Sequence, residues 1–307
     1  MEKRSKRLSI PIFVTPGRIF TLLLLLLLLL RIVTALEFGS HNEDYFYVYA
    51  LDVGQSDATL LRCGEQTMLI DAGTATEELA LRTALSRYGI THLDYLVLTH
   101  PHEDHIGNAR WVIENVEVET VVLPAVPSDD YVYGLILSAA SRCAQVKTAM
   151  RGQRFTLGNA EIEVLLAHAP TDTGAASDDA ANNGSTVLRA VFGTQVFLFM
   201  GDAEKEAELN LLSLYDVAYL NCDFLKVGHH GSDTSTTWQL LAATTPTAAA
   251  ISCGKQNTYG FPHAAVLQNL AAFGVNVYRT DQSGILVFGT DGKELRLIPP
   301  STKGLSL

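Results

Sequence analysis

This chain of 307 residues has few cysteines, and none of them forms a Cys-x-x-Cys pair. This absence excludes the metal sites and redox sites that are built on such a pair. The four cysteines are scattered, and Cys222 and Cys253 lie in or beside apolar runs, which predicts buried thiols. A disulfide is the open alternative if the chain is exported, because oxidising compartments allow one. The cysteines are Cys63, Cys143, Cys222 and Cys253.

Basic charge is also scarce once the N-terminal residues are set aside. The whole chain has 22 Lys and Arg against 33 Asp and Glu, a net charge of −11. Six basic side chains and Glu2 give residues 1–35 a charge of +5, which leaves 16 basic and 32 acidic side chains, a charge of −16, for the remainder. No basic patch with interleaved aromatic residues follows, so the composition gives no support to strong non-specific binding of nucleic acid.

Apolar runs long enough to cross a membrane are missing after residue 35. Before it, Ile19–Leu30 holds nine consecutive leucines behind a basic start, and Val33-Thr34-Ala35 follows. This layout predicts an export signal in residues 1–35 that is cleaved before Leu36. An uncleaved membrane anchor is the alternative, because Ile10–Ala35 is long enough to span. In both cases we expect the remainder to be extracellular or at the cell surface.

The rest of the chain divides into a polar linker, residues 36–44, and one large domain, residues 45–300. No repeat of short period is present. Thr171–Asn183 is rich in Asp, Ala, Gly and Ser and is predicted to be a loop, whereas Gly193-Thr194 separates two strand-like runs as in a hairpin.

The domain pattern consists of two successive blocks of strands followed by helices. The first block opens as a β-meander, and such a pattern predicts an α/β (α+β) domain of two packed sheets with helices outside. The predicted meander strands are Tyr45–Val53, Thr59–Arg62 and Thr67–Ile70.

A cluster of metal-ligating residues follows the predicted strand in Leu96–Asn108, LVLTHPHEDHIGN. The cluster lies on a strand-to-helix loop, where rigid elements can hold several ligands in fixed geometry. Imidazole nitrogen and carboxylate oxygen suit zinc, and also manganese or iron. The pattern predicts a metal site with room for two adjacent ions, and a polar loop that is merely rich in histidine is the alternative. The members are His100, His102, Asp104 and His105.

Other polar residues recur at the ends of apolar runs. A single aspartate in such a place is often a helix cap, but a shared site at one edge of a sheet would collect all of them. These residues are Asp71 after TMLI, Asp202 after VFLFMG, His229 and His230 after FLKVG, and His263 after YGFP.

Taken together, the segments resemble the metallo-β-lactamase superfamily, and in particular the C-terminal metallo-hydrolase domain of ComEC-type competence (DNA-uptake) proteins. The HxHxDH motif is complete in THPHEDH, and further matching segments run in family order from about residue 48 to residue 290. They cover the hydrolase-like domain, so the resemblance implies no transport activity. The further segments are LDVGQSD (Leu51–Asp57), LIDAG (Leu69–Gly73), NNGSTVL (Asn182–Leu188), FMGDAE (Phe199–Glu204), LKVGHHGS (Leu225–Ser232) and YGFPH (Tyr259–His263).

The resemblance implies an αββα sandwich of two mixed sheets that carries two divalent metal ions at one edge. Zinc is the expected metal, with manganese as the alternative. The implied ligands are His100 and His102 for the first ion, Asp104 and His105 for the second, Asp202 as the bridge, and His229 or His230 to complete the second site.

Four more positions take their expected roles from the same resemblance. Asp71 would orient the metal loop, and Asp57 and Asn183 would support the ligands. His263 would contact substrate or metal, which makes it an expected catalytic residue beside Asp104 and His105.

The chain departs from the family pattern at a few positions. The third histidine of the first metal site has no clear match; His168 is one candidate, and Asn183 or Ser185 is the alternative occupant of that place. Ser56 stands where the family usually has glycine, and Phe261 stands where histidine is frequent. These departures concern the first metal more than the second.

The implied function is hydrolysis of a phosphodiester by a metal-bound hydroxide that attacks phosphorus. Nucleic acid is the implied substrate, and the charge of −16 makes a small phosphodiester of the cell envelope the alternative. Two other functions stay open: an exported lactamase or lactonase that acts at acyl carbon, and a membrane-tethered binding module without turnover. A membrane is an expected partner only if the N-terminal segment is not cleaved, and no protein partner is predicted.

Overall fold

The computed structural model describes residues 44–126, 128–167 and 178–299, which belong to the compact unit His41–Thr302. The predicted signal or anchor in residues 1–35, the linker up to residue 43 and His168 lie outside the described residues. The described strands are β1 (Phe46–Ala50), β2 (Thr59–Cys63), β3 (Gln66–Ile70), β4 (His92–Val97), β5 (Glu117–Leu123), β6 (Gln145–Thr148), β7 (Arg154–Leu157), β8 (Ala160–Leu166), β9 (Val187–Phe192), β10 (Gln195–Phe199), β11 (Phe224–Lys226), β12 (Ala248–Ile251), β13 (Asn276–Arg279), β14 (Leu286–Thr290) and β15 (Leu295–Ile298).

Helices follow most of the parallel strands, and two 3₁₀ turns, Ala75–Glu77 and His229–Gly231, accompany them. None of the helices in the described ranges has the length and apolar character needed to cross a membrane. The helices are α1 (Glu78–Arg87), α2 (Glu103–Ile106), α3 (Ala109–Asn115), α4 (Tyr131–Cys143), α5 (Asp178–Asn183), α6 (Lys205–Leu214), α7 (Val217–Leu220), α8 (Trp238–Thr244), α9 (Ala264–Ala272) and α10 (Thr280–Ser283).

The described strands form two mixed sheets, ordered β15-β14-β1-β2-β3-β4-β5-β6 and β13-β12-β11-β10-β9-β8-β7. The first sheet begins as the predicted meander, because β1, β2 and β3 pair antiparallel, and then runs parallel from β3 to β6. In the second sheet, β9 and β10 form the predicted antiparallel hairpin, and β10 to β13 run parallel. In both sheets the parallel strands lead into the motif loops.

Alternating side chains of the strands supply three apolar layers. On β1, Phe46 points between the two sheets, while Tyr49 points towards the helices. Aromatic rings join the sheets: the Phe46 and Phe197 ring centroids are 5.0 Å apart, and those of Phe224 and Phe288 are 4.8 Å apart. Burial of such rings is a main source of stability.

Helices cover the outer face of each sheet. Leu81 of α1 and Ile136 of α4 pack on the first sheet, and Leu240 of α8 and Leu270 of α9 pack on the second. The layer order is therefore helices, sheet, sheet, helices, which confirms the predicted αββα sandwich of two mixed sheets.

The prediction of a loop over Thr171–Asn183 was wrong for its last six residues, which form α5. Two features explain the helix. Alanine is the best helix former, and Ala181 is buried. The Asn183 side chain then stabilises the helix end: its Nδ2 donates to Asp179 O (3.0 Å), and its Oδ1 accepts from Ala207 N of α6 (3.0 Å).

The cysteines described with their side chains, Cys63, Cys222 and Cys253, are all buried, and Cys222 and Cys253 are free thiols. This confirms the prediction of buried thiols for Cys222 and Cys253. Burial raises the pKa of the Cys253 thiol to about 11 and raises the pKa of Cys222 further. Both thiols therefore stay protonated, and thus unreactive, at neutral pH.

A buried ion pair connects the two sheets. Lys226, at the end of β11, donates through Nζ to Asp57 Oδ2 in the loop between β1 and β2, and both side chains are buried. Asp57 Oδ1 also lies 3.4 Å from Ser252 Oγ, which follows β12. Asp57 thus contacts residues of the opposite sheet.

Removal of one member of this pair is expected to destabilise the domain. Lys226→Met leaves the Asp57 carboxylate buried without its cation, so we expect the free energy of unfolding to fall by about 3–5 kcal/mol. Chemical denaturation measures this loss. The double variant Lys226→Met/Asp57→Asn should recover part of it, because no buried charge is left unpaired.

A matched control is Arg82→Gln, which breaks the exposed pair of Arg82 and Glu78 (3.2 Å; side chains 53% and 42% exposed). An exposed pair one helical turn apart contributes only about 0.5 kcal/mol or less. Equal losses for Lys226→Met and Arg82→Gln would show that the buried pair does not hold the sheets together.

Candidate metal centre

The predicted site residues follow strands that end at the same edge of the sandwich. Asp71 comes directly after β3, and the THPHEDH loop comes after the neighbouring parallel strand β4. Asp202 follows β10, and the His229–Gly231 turn follows the parallel neighbour β11. The ends of parallel strands are where α/β folds collect functional groups. One half of the site therefore comes from each sheet.

Four of these residues form a compact group, in which one ligand atom of each lies within 4.8 Å of the others: Asp104, His105, Asp202 and His230. His230 Nε2 lies 3.2 Å from Asp104 Oδ2, and His105 Nε2 lies 3.2 Å from Asp202 Oδ1. His105, Asp202 and His230 are almost fully buried. This group, called here the Asp202 cluster, offers two imidazole nitrogens and two carboxylates.

The Asp202 carboxylate faces two sets of imidazoles. Its Oδ1 points to His105, while its Oδ2 lies 3.7 Å from His230 Nε2 and 3.8 Å from His100 Nε2. The backbone N of Asp202 donates to Ser185 Oγ (3.0 Å), which fixes the residue behind the carboxylate. Asp202 thus connects the other members of the Asp202 cluster with His100 at the beginning of the THPHEDH loop.

Asp71 fixes the orientation of the His105 ring. Its Oδ2 lies 2.8 Å from His105 Nδ1 and accepts from Thr99 Oγ1 (2.7 Å), while its Oδ1 accepts from Thr99 N (2.8 Å). Because Nδ1 of His105 faces Asp71, Nε2 is directed at Asp202. A carboxylate behind a ligating imidazole is the usual arrangement in metal sites.

The two remaining histidines of the motif are a pair of their own. His100 Nε2 lies 3.1 Å from His102 Nδ1, and His100 Nδ1 lies 3.1 Å from Thr99 Oγ1. Within residues 44–126, 128–167 and 178–299, neither belongs to a group of three ligands within 4.8 Å. The first implied site is therefore less complete than the second.

The structure distinguishes the adjacent histidines His229 and His230. The Nδ1 of His230 lies 3.0 Å from Ser252 O, which leaves Nε2 for the Asp202 cluster. His229 instead directs Nδ1 at Glu204 Oε1 (3.0 Å), and its Nε2 lies 3.9 Å from Asp202 Oδ2. His230 therefore belongs to the Asp202 cluster, and His229 lies at the rim of that cluster.

Left-handed backbone conformations aim several of these side chains. Asp71 (φ 58°), His229 (φ 47°) and His230 (φ 52°) all have positive φ, which costs about 1–3 kcal/mol in a residue other than glycine. Gly231 follows at φ 83°, and a Cβ there would lie 2.5 Å from Pro262 Cβ. The turn thus needs glycine at that position so that it can pack on Pro262.

The buried charges perturb one another strongly. Burial disfavours the charge of His105, but the carboxylates of Asp202, Asp71 and Asp104 raise its pKa well above the ordinary value. Burial likewise opposes ionisation of Asp202, yet His105 and His230 hold its pKa well below the ordinary value. The negative charge in this pocket is therefore balanced by imidazolium, and a bound cation would replace those protons.

Four other residues named from the sequence have different contacts. Asn183 uses both polar groups of its side chain to tie α5 to α6, whereas Ser185 holds the backbone of Asp202. Asp57 pairs with Lys226, and its backbone N donates to Asp104 O (3.1 Å). His263 lies outside the Asp202 cluster: its Nδ1 is 3.0 Å from Asp233 Oδ1, and its Nε2 is 3.2 Å from Tyr259 O.

Comparison with known proteins places this geometry in a family. A sequence profile described as the metallo-beta-lactamase superfamily matches residues 51–129, which include the whole THPHEDH loop. The chain is 31% identical to ComE operon protein 3 of Bacillus subtilis over 260 residues (78% of this chain, 32% of that protein) and 32% identical to competence protein ComA of Neisseria gonorrhoeae over 241 residues (78% and 31%). The domain belongs to the metallo-β-lactamase superfamily. The chain spans about a third of the length of these relatives.

The fold agrees with that membership. The structure resembles the metallo-β-lactamase fold protein YhfI of Bacillus subtilis, with a TM-score of 0.53 at 14% identity, over 80% of this chain and 100% of that one. At this identity the likeness concerns the fold alone. Membership of this superfamily indicates a metal-dependent hydrolase. The homologues of this chain include competence proteins.

The residues present fit a divalent metal. Among the described residues, His105 Nε2 and Asp202 Oδ1 are buried polar atoms without a hydrogen-bond partner, and they lie 3.2 Å apart. A buried polar atom that lacks a partner is unfavourable, and a metal ion would satisfy both atoms at once. The mixed nitrogen and oxygen donor set suits zinc and its first-row neighbours.

Sequence reasoning missed Glu204, the carboxylate behind His229. Its Oε1 also accepts from Asn182 Nδ2 (3.2 Å) and Thr234 Oγ1 (3.1 Å), so it links α5, the end of β10 and the histidine turn. Glu204 lies only two residues after Asp202, in the quoted segment FMGDAE. Its role depends on a contact across 25 residues of sequence, which spacing alone does not reveal.

We expect Asp71→Asn to weaken metal binding while the fold is kept. Asparagine tolerates positive φ and has the same size, but it removes the carboxylate behind His105. Loss of such a partner typically lowers metal affinity 10–100-fold. Competition with a chelating zinc indicator measures the change, with Asp130→Asn on the N-cap of α4 as the control. Unchanged zinc affinity in Asp71→Asn would show that His105 is oriented by other contacts.

Variants of the two histidines of the turn are expected to differ in how much metal the protein keeps. His230→Asn should lose metal from the Asp202 cluster, whereas His229→Asn should retain it, because His229 lies at the rim beside Glu204. Asparagine is suitable at both positions, since both have positive φ. Elemental analysis after dialysis measures the metal per chain. Loss of metal in His229→Asn alone would reverse the assignment.

Proposed function

We propose that this protein is an exported metal-dependent phosphodiesterase that uses two divalent ions, zinc in the first instance and manganese as the alternative. The observation that carries the proposal is the placement of Asp202, whose two oxygens face His105 and His100 (3.2 and 3.8 Å). A carboxylate in that place can bridge two ions. The residues that would hold them are His100 and His102 for one, and Asp104, His105 and His230 for the other.

A bound pair of divalent ions supplies two things: a lower pKa for water and positive charge for the phosphoryl oxygens. The chain's own residues provide orientation. Asp71 and Ser252 O set the rings of His105 and His230, and Glu204 holds His229 with its Nε2 directed at the site. At that position Nε2 of His229 can hydrogen-bond to an oxygen of the substrate.

Two arguments favour phosphorus over acyl carbon. The first is the similarity of this chain to competence proteins, because that resemblance implies a phosphodiester substrate. The second is the incomplete first site. Ser185, which together with His168 and Asn183 is a candidate for the place of the third histidine, accepts a hydrogen bond from Asp202 N, and a serine there would contrast with the three-histidine site of many superfamily hydrolases.

The net charge of the chain bears on which phosphodiester is the substrate. The charge of −16 on the chain after residue 35 would repel a long polyanion away from the metals. A small envelope phosphodiester is therefore kept as a proposed substrate beside a nucleic acid.

Aromatic rings lie beside the site. Tyr259 is 66% exposed and stacks on Phe261 (5.4 Å between ring centroids), and the Phe261 ring contacts His229. Export rests on the basic start and the leucine run of residues 1–35.

A hydrolysis panel with added zinc or manganese tests the proposal. We expect cleavage of bis-p-nitrophenyl phosphate, and of either p-nitrophenylphosphorylcholine or single-stranded DNA, but not of nitrocefin. Asp104→Ala should abolish turnover, because it removes a carboxylate of the Asp202 cluster, while circular dichroism shows a folded protein.

Glu103→Gln is the matched control, since this neighbouring carboxylate is turned away towards Thr74 Oγ1 (2.6 Å) and Ala75 N (2.8 Å). We expect its turnover to stay near that of the wild type. Rapid nitrocefin hydrolysis without phosphodiester cleavage would favour a lactamase. A metal-free protein that cleaves none of the esters would favour a binding module.

A further inference from the structure

A second group of metal-ligating side chains lies at the other end of β4 from the THPHEDH loop. It consists of His92 and Asp94 on β4 and Glu119 on the adjacent parallel strand β5. One ligand atom of each lies within 4.8 Å of the other two. β4 runs from His92 to Val97 and rises about 3.3 Å per residue, so along the strand His92 is about 17 Å and Asp94 about 10 Å from the end where the THPHEDH loop begins.

The ligand atoms of the three side chains lie close together. His92 Nε2 lies 3.6 Å from Glu119 Oε1 and 3.9 Å from Asp94 Oδ2. Zinc binds imidazole nitrogen and carboxylate oxygen at about 2.0–2.2 Å, which in a tetrahedron separates neighbouring ligand atoms by about 3.3–3.6 Å. The two distances from His92 Nε2 are within a few tenths of an ångström of that spacing, and the ligand atoms of Asp94 and Glu119 lie within 4.8 Å of each other. The Glu119 side chain is 63% exposed and has room to move closer.

Asp94 is already held in place for such a role. Its side chain is only 12% exposed, its Oδ1 accepts from Gln66 Nε2 (2.9 Å), and its Oδ2 accepts from Thr67 N (2.8 Å). Each carboxylate oxygen keeps a second lone pair after these bonds. Hydrogen bonds of this kind fix a metal-ligating carboxylate and reduce the cost of ordering it.

His92 also has a carboxylate behind its ring. Glu117 is its direct partner in the β4–β5 ladder, and Glu117 Oε2 lies 3.8 Å from His92 Nδ1. With Nδ1 facing Glu117, Nε2 faces Asp94 and Glu119. The order of the groups is that of Asp71, His105 and Asp202 at the opposite end of the sheet, but 3.8 Å is longer than the 2.8 Å contact of Asp71 with His105, so Glu117 would have to move about 1 Å to make the same hydrogen bond.

We propose that His92, Asp94 and Glu119 bind a divalent cation of the zinc class, with water in the fourth position. The three carboxylates beside one imidazole give the group an excess of negative charge that a divalent ion would offset. The ion would join β4 to β5, and through the hydrogen bonds of Asp94 it would also brace β3. Its role is to stabilise this end of the first sheet, which is separate from hydrolysis.

Zinc binding to the purified full-length chain tests the proposal. The wild type should bind one more equivalent of Zn²⁺ than His92→Ala or Glu119→Gln in equilibrium dialysis with elemental analysis. Glu117→Gln should bind this equivalent about tenfold more weakly, because it keeps the ligands but loses the orienting carboxylate. Zinc should also raise the melting temperature of the wild type more than that of His92→Ala.

Two controls separate this site from the Asp202 cluster and from a folding defect. Glu114→Gln removes an exposed carboxylate that pairs with Arg110 on α3, and it should bind as much zinc as the wild type. His230→Asn should keep the equivalent bound at His92, and the double variant His92→Ala/His230→Asn should lose both. Equal zinc content and affinity in the wild type, His92→Ala and Glu119→Gln, with all three folded, would show that the group is an ion-pair network only.

Discussion

Two carboxylates, those of Asp71 and Asp202, are buried on opposite sides of the His105 ring, and the metal centre is organised around this row. Burial alone would drive both carboxylates to their neutral form, since an isolated charge in a protein interior is costly. For Asp202, whose pKa is held well below the ordinary value, imidazoles provide the compensation. For Asp71 the effect of burial outweighs that of His105, and its pKa is raised. The site is thus a charged pocket that favours an added cation.

Each sheet contributes one wall of this pocket. The first supplies Asp71 and the THPHEDH loop, and the second supplies Asp202 and His230, so the distances across the site depend on how the sheets pack. The aromatic contacts between them, such as Phe224 with Phe288, and the buried pair of Lys226 and Asp57 set that packing. The apolar core therefore acts on the geometry of the metal ligands, although it lies away from them.

Much of this could be predicted from the sequence because the signals are local. Alternation and helical periodicity are properties of short segments, and they indicated two packed sheets with helices outside, the meander and the hairpin, while the resemblance to a known family implied the αββα sandwich. The HxHxDH spacing pointed in the same way to the metal loop.

Other features depend on contacts between distant segments, which no spacing encodes. They are the roles of Lys226 and Glu204 and the different environments of His229 and His230. The helix Asp178–Asn183 was missed because its Asp and Asn residues resemble a loop, while its packing on α6 is tertiary. The pairs His92-x-Asp94 and Glu117-x-Glu119 show in the sequence only once β4 and β5 are known to be neighbours.

The left-handed backbone at Asp71, His229 and His230 has a consequence for how the metal pocket is ordered. These conformations are imposed by the turns and by the close contact of Gly231 with Pro262, so the directions of the side chains are set when the chain folds. In this respect the pocket differs from small zinc domains, which fold only around their metal. The folding of the turns, and not an incoming ion, would then bear the cost of ordering these side chains.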